Sequence, residues 1–200
     1  MRSLKLPRAF PSRDGVPVIS RVDPRIFTYH YFTHCLQCNF CHDWCCSHGV
    51  DVEVPRASAI LKHADSLEAY TGITRDRWFE NEVERDPDFP GGAAMRTRVE
   101  NGACVFLGRD GRRGCTIHAF CLERGIDYHE LKSIVDCLFP LTFDGTSLCA
   151  ADEVIDGDLV CMDQGPSLYR GVRSEIAYYF GNACVAAVDA MEGRVLARGS

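Results

Sequence analysis

No run of about 18 apolar residues occurs in this 200-residue chain, which argues against a membrane-spanning helix. The opening segment Met1–Val22 is interrupted by Pro7, Pro11, Pro17 and several arginines, so it reads as neither a signal peptide nor a span. Clustered basic residues are also missing. With a formal net charge of -6 and its lysines and arginines scattered, the chain offers no broad surface for nucleic-acid phosphates. A G-x-S-x-G elbow, a P-loop and a complete glycine-rich dinucleotide motif are all absent, leaving hydrolase and nucleotide-binding readings without support. There is no internal repeat and no low-complexity tract. The expected setting is cytoplasmic, with no nucleic-acid or membrane partner.

Cysteine, by contrast, is abundant: the chain has 12. Cys35, Cys38, Cys41, Cys45 and Cys46 fall within one short stretch, and the first four read C-x2-C-x2-C-x3-C, the run with which bacterial ferredoxins hold iron-sulfur clusters. Cys46 stands where those proteins carry proline. Two-residue gaps let a short loop aim neighbouring sulfurs at one centre, with bonds of about 2.3 Å to zinc and similar lengths to iron. In a reducing compartment such spacing indicates metal or redox chemistry rather than disulfides, and a chain of this length does not need staples to fold.

At 46% apolar the chain can bury one sizeable core. The expectation is a single cysteine-cluster metal-binding domain over 1–200, with an N-terminal arm (1–27), a metal-binding core (28–150) and a C-terminal helix (167–192). The arm reads as irregular or partly extended, with Pro17-Val18-Ile19 a short strand. Pro55 opens a helix to about Tyr70, placing Ile60, Leu61, Ala64 and Leu67 on one face, and Gly72 stops it. Thr74 caps a second helix carrying Trp78, Phe79 and Val83. After the loop Asp86–Gly92, strands at Met95–Val99, Cys104–Leu107 and Cys115–Ile117 are joined by turns at Asn101-Gly102 and Asp110-Gly111. Helical turns follow at Ala119–Arg124, ending at Gly125, and at His129–Val135. Leu141–Phe143 and Ser147–Cys149 form a hairpin about Asp144-Gly145. In the last helix Ser167 is the N-cap, Gly181 a weak point, and Ile176, Tyr179, Phe180, Cys184, Val188 and Met191 share a face. The class is α+β: a small antiparallel sheet, flanking helices and irregular cysteine-rich metal-binding loops.

Cys104 and Cys115 begin adjacent expected strands, where a hairpin can bring both sulfurs to one ion. Cys137 precedes Leu138-Phe139-Pro140, a turn that would expose its sulfur. Cys184 and Cys121 read as core residues, whereas Cys149 and Cys161 fit either core or ligand roles. His30, His34, His42 and His48 lie near the first cluster as loop residues or outer-shell donors, with ligation the alternative. His118, three residues after Cys115 and expected at a sheet edge, can reach the same metal or carry a proton. Asp43 and Asp51 read as exposed loop carboxylates, with a place as acceptors behind the cysteines the alternative, and Asp127, Glu130 and Asp136 as a solvated helix face rather than a general-base pair.

The chain resembles the YkgJ-type cysteine-cluster family of zinc- or iron-chelating proteins. Cys38, Cys41, Cys45 and Cys46 look like its N-terminal cluster, and Gly102-Ala103-Cys104-Val105-Phe106-Leu107 like its glycine-cysteine-aromatic-leucine strand. Gly114-Cys115-Thr116-Ile117-His118 is similar to its G-C-x-I-[HY] segment, and Cys137-Leu138-Phe139-Pro140 to its C-x-x-[YF]-P. Here His42-Asp43-Trp44 separates the paired cysteines from the preceding C-x2-C, a departure from the family spacing. The resemblance implies chelation through the first cluster with Cys104, Cys115 and Cys137, and implies no particular reaction.

The candidate metal ligands are therefore Cys35, Cys38, Cys41, Cys45, Cys46, Cys104, Cys115 and Cys137. Thiolates suit zinc and iron-sulfur clusters alike, and the ferredoxin-like spacing favours [4Fe-4S], with zinc the alternative. Three functions follow: an iron-sulfur protein for electron transfer or an oxidoreductase step, working with a redox or protein partner and with Trp44 shielding its cluster; a zinc-stabilised scaffold or adaptor; or an iron- or zinc-dependent enzyme with an open coordination position.

Overall fold

The computed structural model describes residues 3–32, 35–41, 43–109, 111–157 and 159–199, and of Trp44 its backbone alone. The fold is α+β. In place of the one domain expected, the chain divides into two compact units, His34–Cys137 being inserted between Met1–Thr33 and Leu138–Ser200. The chain begins with β1 (Leu4–Pro11), β2 (Val18–Val22) and β3 (His30–Tyr31). The insert carries β4 (Asp51–Glu53), α1 (Val54–Lys62), α2 (Ala64–Thr71), β5 (Phe79–Arg85), β6 (Ala93–Thr97), β7 (Val99–Glu100), β8 (Ala103–Cys104), α3 (Thr116–Arg124) and α4 (Ile134–Leu138). Then come β9 (Leu141–Asp144), β10 (Ser147–Ala150), α5 (Asp152–Ile155), β11 (Met162–Ser167), α6 (Leu168–Gly171) and α7 (Arg173–Gly199).

The outer unit is built on a sheet of order β1-β2-β10-β9, in which the β2–β10 pair is parallel and the others antiparallel. The expected irregular arm is thus a hairpin. Leu6, Phe10, Ile19 and Val22 are its buried residues, and Pro7 is tolerated because β1 is an edge strand, where a missing donor costs no ladder bond. Ser167 caps α6 through its hydroxyl, which accepts from the Arg170 amide. All six residues of the stripe Ile176 to Met191 are buried, and α7 packs on β1 and the turn Pro24–Phe27. Gly181 leaves helical geometry inside α7, as its lack of side-chain restraint permits. Asp189 accepts from Tyr169 Oη at 2.7 Å and pairs with Arg173 at 2.6 Å, locking α6 to α7.

In the inserted unit, Ala57, Ile60, Ala64 and Leu67 bury one face of α1 and α2 against Trp78, Phe106 and Phe120. Leu61, expected on that face, is exposed, because it follows the buried Ile60 directly and so lies about 100° around α1 from it. Gly72 ends α2 in the left-handed region, as expected. The helix expected after Thr74 is instead one short turn, Arg75–Arg77, followed by β5, which pairs with β6 in a sheet of order β4-β6-β5. Only Phe79 of β5 is buried, so backbone pairing rather than a side-chain stripe makes this strand. The hairpin about Asn101-Gly102 forms between β7 and β8. Cys115–Ile117 is not a strand: Leu107 and Cys115 share a single bridge, and α3 starts at Thr116, whose amide and hydroxyl both donate to Phe106 O at 2.8 Å. Ile117, Phe120 and Cys121 then fall at helical spacing on the buried side.

Candidate metal centre

All eight candidate ligands lie in the inserted unit, and the structure carries the chain's cysteines as thiols. Cys38 and Cys41 are buried side by side, with their sulfurs within 4.8 Å of each other. A one-turn helix, Cys35–Gln37, leads into this loop, closed by the Cys38 amide donating to Cys35 O at 3.1 Å. A second, Trp44–Cys46, leaves it, with the Cys46 amide donating to Asp43 O at 2.8 Å. Asp43 between them holds a left-handed φ of 55°, an uncommon conformation that aspartate accepts more readily than most residues.

Arg113, which sequence reasoning did not single out, braces this loop. Its guanidinium donates to Cys38 O at 3.0 Å, to Cys41 O at 2.5 Å and to Cys41 Sγ at 3.3 Å, and pairs with Asp43 at 3.0 Å. The neighbouring Gly114 permits the approach: its φ is +66°, and a Cβ there would stand 3.0 Å from Leu36 Cδ2. Two residues of one short segment, Arg113 and Gly114, thus press the 106–116 connection onto the first cysteine cluster.

The other candidates come together differently. Cys35 and Cys45 share a hydrogen bond, which with burial pushes the Cys35 thiol well above its usual range. Cys104, at the end of β8, is buried and donates to Thr97 Oγ1 at 3.4 Å, and burial raises its pKa. Cys115 occupies the position before α3, where the helix N-terminus favours negative charge, yet burial pushes its pKa up to about 12 despite the pull of Lys132. Cys137 is buried within α4, correcting the expectation of an exposed sulfur. Burial opposes the charge of Lys132, but Asp136, Cys115, Cys137 and Cys35 outweigh it and raise that pKa. Lys132 is therefore a cation set among cysteines from three separate segments, a role that spacing alone did not reveal. Cys46 is half-buried in its turn. Among the described residues, no three of the eight candidate sulfurs lie within 4.8 Å of one another; Cys38 with Cys41, and Cys35 with Cys45, are close pairs within the set.

Of the remaining residues, Cys121 and Cys184 are core, as expected, and burial raises each to about 11. Cys149 is half-buried on β10 and donates to Thr142 O at 3.7 Å, while Cys161 is buried in the outer unit. His30 lies on β3 with Nδ1 3.0 Å from Gly165 O, and His48 is exposed. His34 and His42 lie outside the described residues. His118 is not at a sheet edge but in α3, its ring 4.5 Å from that of Tyr128, and burial, with Lys132 and His129, lowers its pKa to about 4. Asp43, expected as an exposed loop carboxylate, is instead largely covered and pairs with Arg113 at 3.0 Å behind the cysteines, whereas Asp51 pairs with Arg96 at 3.0 Å. Asp127 accepts from the His129 amide at 3.1 Å, a local turn contact.

No family model, curated protein or solved structure matches this chain. Its geometry alone establishes a cysteine-rich protein whose buried thiols can hold a metal ion, with no helix among the described residues long and apolar enough to cross a membrane.

Proposed function

We propose that the inserted unit is a metal-thiolate centre, most in keeping with an iron-sulfur cluster that serves electron transfer or an oxidoreductase step. The observation that carries this reading is the pair Cys38 and Cys41, buried, with sulfurs within 4.8 Å, in a loop held by a charged donor. Two thiolates so close and so dry repel each other unless a cation joins them, and soft sulfur selects zinc or iron-sulfur chemistry. The likeness to the YkgJ-type cluster segments supports drawing Cys104, Cys115 and Cys137 into the same centre. Cys35, Cys45 and Cys46 supply further thiols from the same loop.

When bound, an iron-sulfur cluster would supply one-electron chemistry. This chain's own part is to bind and to balance charge: the cysteines present thiolates, while Arg113 and Lys132 offset the negative charge that thiolates and cluster bring together. His118 stays neutral over the physiological range and so adds no positive charge to that of Arg113 and Lys132. A reducing, cytoplasmic setting and a protein redox partner belong to the same proposal.

Serine substitution tests the ligand assignment. Cys38→Ser and Cys41→Ser should lose stoichiometric metal, measured as metal per folded chain, because a hydroxyl is a poor substitute for a thiolate. Cys184→Ser, in the apolar core of the outer unit, should keep full metal content while lowering stability by about 1–3 kcal/mol for the buried hydroxyl. Full metal retention in both Cys38→Ser and Cys41→Ser would remove these two residues from the centre.

A further inference from the structure

We propose that Arg113 is a positioning residue for the metal centre, fixing Cys41 in place and drawing electron density from its sulfur. The inference rests on the metal-binding reading above and adds to it a specific control over one ligand. Arg113 meets the loop at four points: Cys38 O, Cys41 O, Cys41 Sγ and the Asp43 carboxylate. Two carbonyls one turn apart fix where the loop lies relative to the fork. The bond to Cys41 Sγ, at 3.3 Å, is within ordinary range for N–H to sulfur and is charge-assisted when the thiol is ionised.

Each neighbour of Arg113 has a part in aiming it. Asp43, 13% exposed, takes one edge of the guanidinium, so the remaining donors have a fixed direction. Gly114 lets the following backbone lie against Leu36 and Cys35, which a side chain would prevent. The planar five-donor fork is what reaches carbonyls, sulfur and carboxylate together. Lysine, a point charge on a flexible stem, cannot reproduce that pattern, though it keeps the charge. A donor aimed at a ligand sulfur lowers the energy of its lone pair, so it moves thiolate-to-metal charge transfer to higher energy. In a redox centre it also favours the reduced, more negative state.

The test compares wild type with Arg113→Gln, Arg113→Lys and the control Arg77→Gln, an arginine of the same unit paired with Glu100. Each protein is loaded anaerobically with cobalt(II), or with iron and sulfide where cobalt is not taken up. Affinity is read by competition with a chelator, and the ligand field by the thiolate-to-metal charge-transfer band. Arg113→Gln should bind about 10- to 100-fold more weakly, the usual cost of losing a support behind a ligand, with its band at lower energy. Arg113→Lys should fall between Arg113→Gln and wild type, and Arg77→Gln should match wild type. Should Arg113→Gln fail to fold, Arg113→Lys decides the matter. Wild-type affinity together with an unshifted band in the folded Arg113 variants would overturn the inference and leave the metal centre standing. A wild-type protein that takes up neither cobalt nor iron with sulfide would overturn the metal reading itself.

Discussion

His118 is neutral at physiological pH because its half-buried ring cannot keep a solvated charge and because Lys132 and His129 repel one, holding its pKa at about 4. The ordinary value is 6.5, so between about 6.5 and 4 the unfolded chain binds a proton that the folded chain refuses. Stability from this residue is therefore complete above the unfolded value and declines as pH falls toward 4, by roughly 1–2 kcal/mol once solvent screening of the half-buried ring is allowed for. His118→Gln should flatten that part of the profile when urea midpoints are compared at pH 7 and pH 4.5; an equal decline in both proteins would contradict it. The pair Cys38 and Cys41 was legible from its spacing, since a two-residue gap in a short loop brings neighbouring sulfurs together. Arg113 and Lys132 were not, because an arginine or lysine acquires a role only from what the fold sets opposite it. For Arg113 that is a loop more than 70 positions earlier, and the sole hint was its place directly before Gly114-Cys115.

Glu53 shows how one element is held by another. At the end of β4 its buried carboxylate accepts from the Ile134 amide at 2.9 Å, while Ser133 Oγ donates to Asp51 O at 2.9 Å, so β4 anchors the start of α4 and the segment leading to Cys137. Burial raises the pKa of Glu53, which means its charge is held against a cost. Glu53→Ala should destabilise by about 1–3 kcal/mol by leaving a buried amide unmet, whereas Glu53→Gln, keeping an acceptor and losing the charge, should cost less than about 1 kcal/mol. Denaturant midpoints at constant m-value check this, and equal losses in the two variants would count against it. Helix ends were the most readable elements: Gly72, Gly125 and Ser167 sit where their backbone geometry or hydroxyl is needed. Strands were less so. β5 has a single buried side chain and exists through pairing with β6, and β1 hides its Leu6 and Phe10 behind two prolines and an arginine. Cys115–Ile117 misled for the opposite reason, since a β-branched run also suits the first turn of a helix when the preceding residue is extended.

At the scale of the whole molecule, the eight candidate ligands and the longest helix belong to different units. The inserted unit, His34–Cys137, carries every candidate ligand. The split itself was not legible: the strands on either side of the insert, β2 and β10, are recognised as partners only once they pair, in parallel, through Arg21 and Val22. The insert has a core of its own, with Trp78, Phe106 and Phe120, so it does not depend on a metal for all its burial. Its central claim, a resident metal-thiolate centre, is tested most directly by purifying the protein anaerobically and measuring iron, zinc and acid-labile sulfide per chain beside an absorption spectrum. About four iron and four sulfide, with a broad band near about 400 nm, is the predicted result. Zinc without sulfide would keep the centre and replace the cluster, and a folded protein holding neither iron nor zinc would contradict the account.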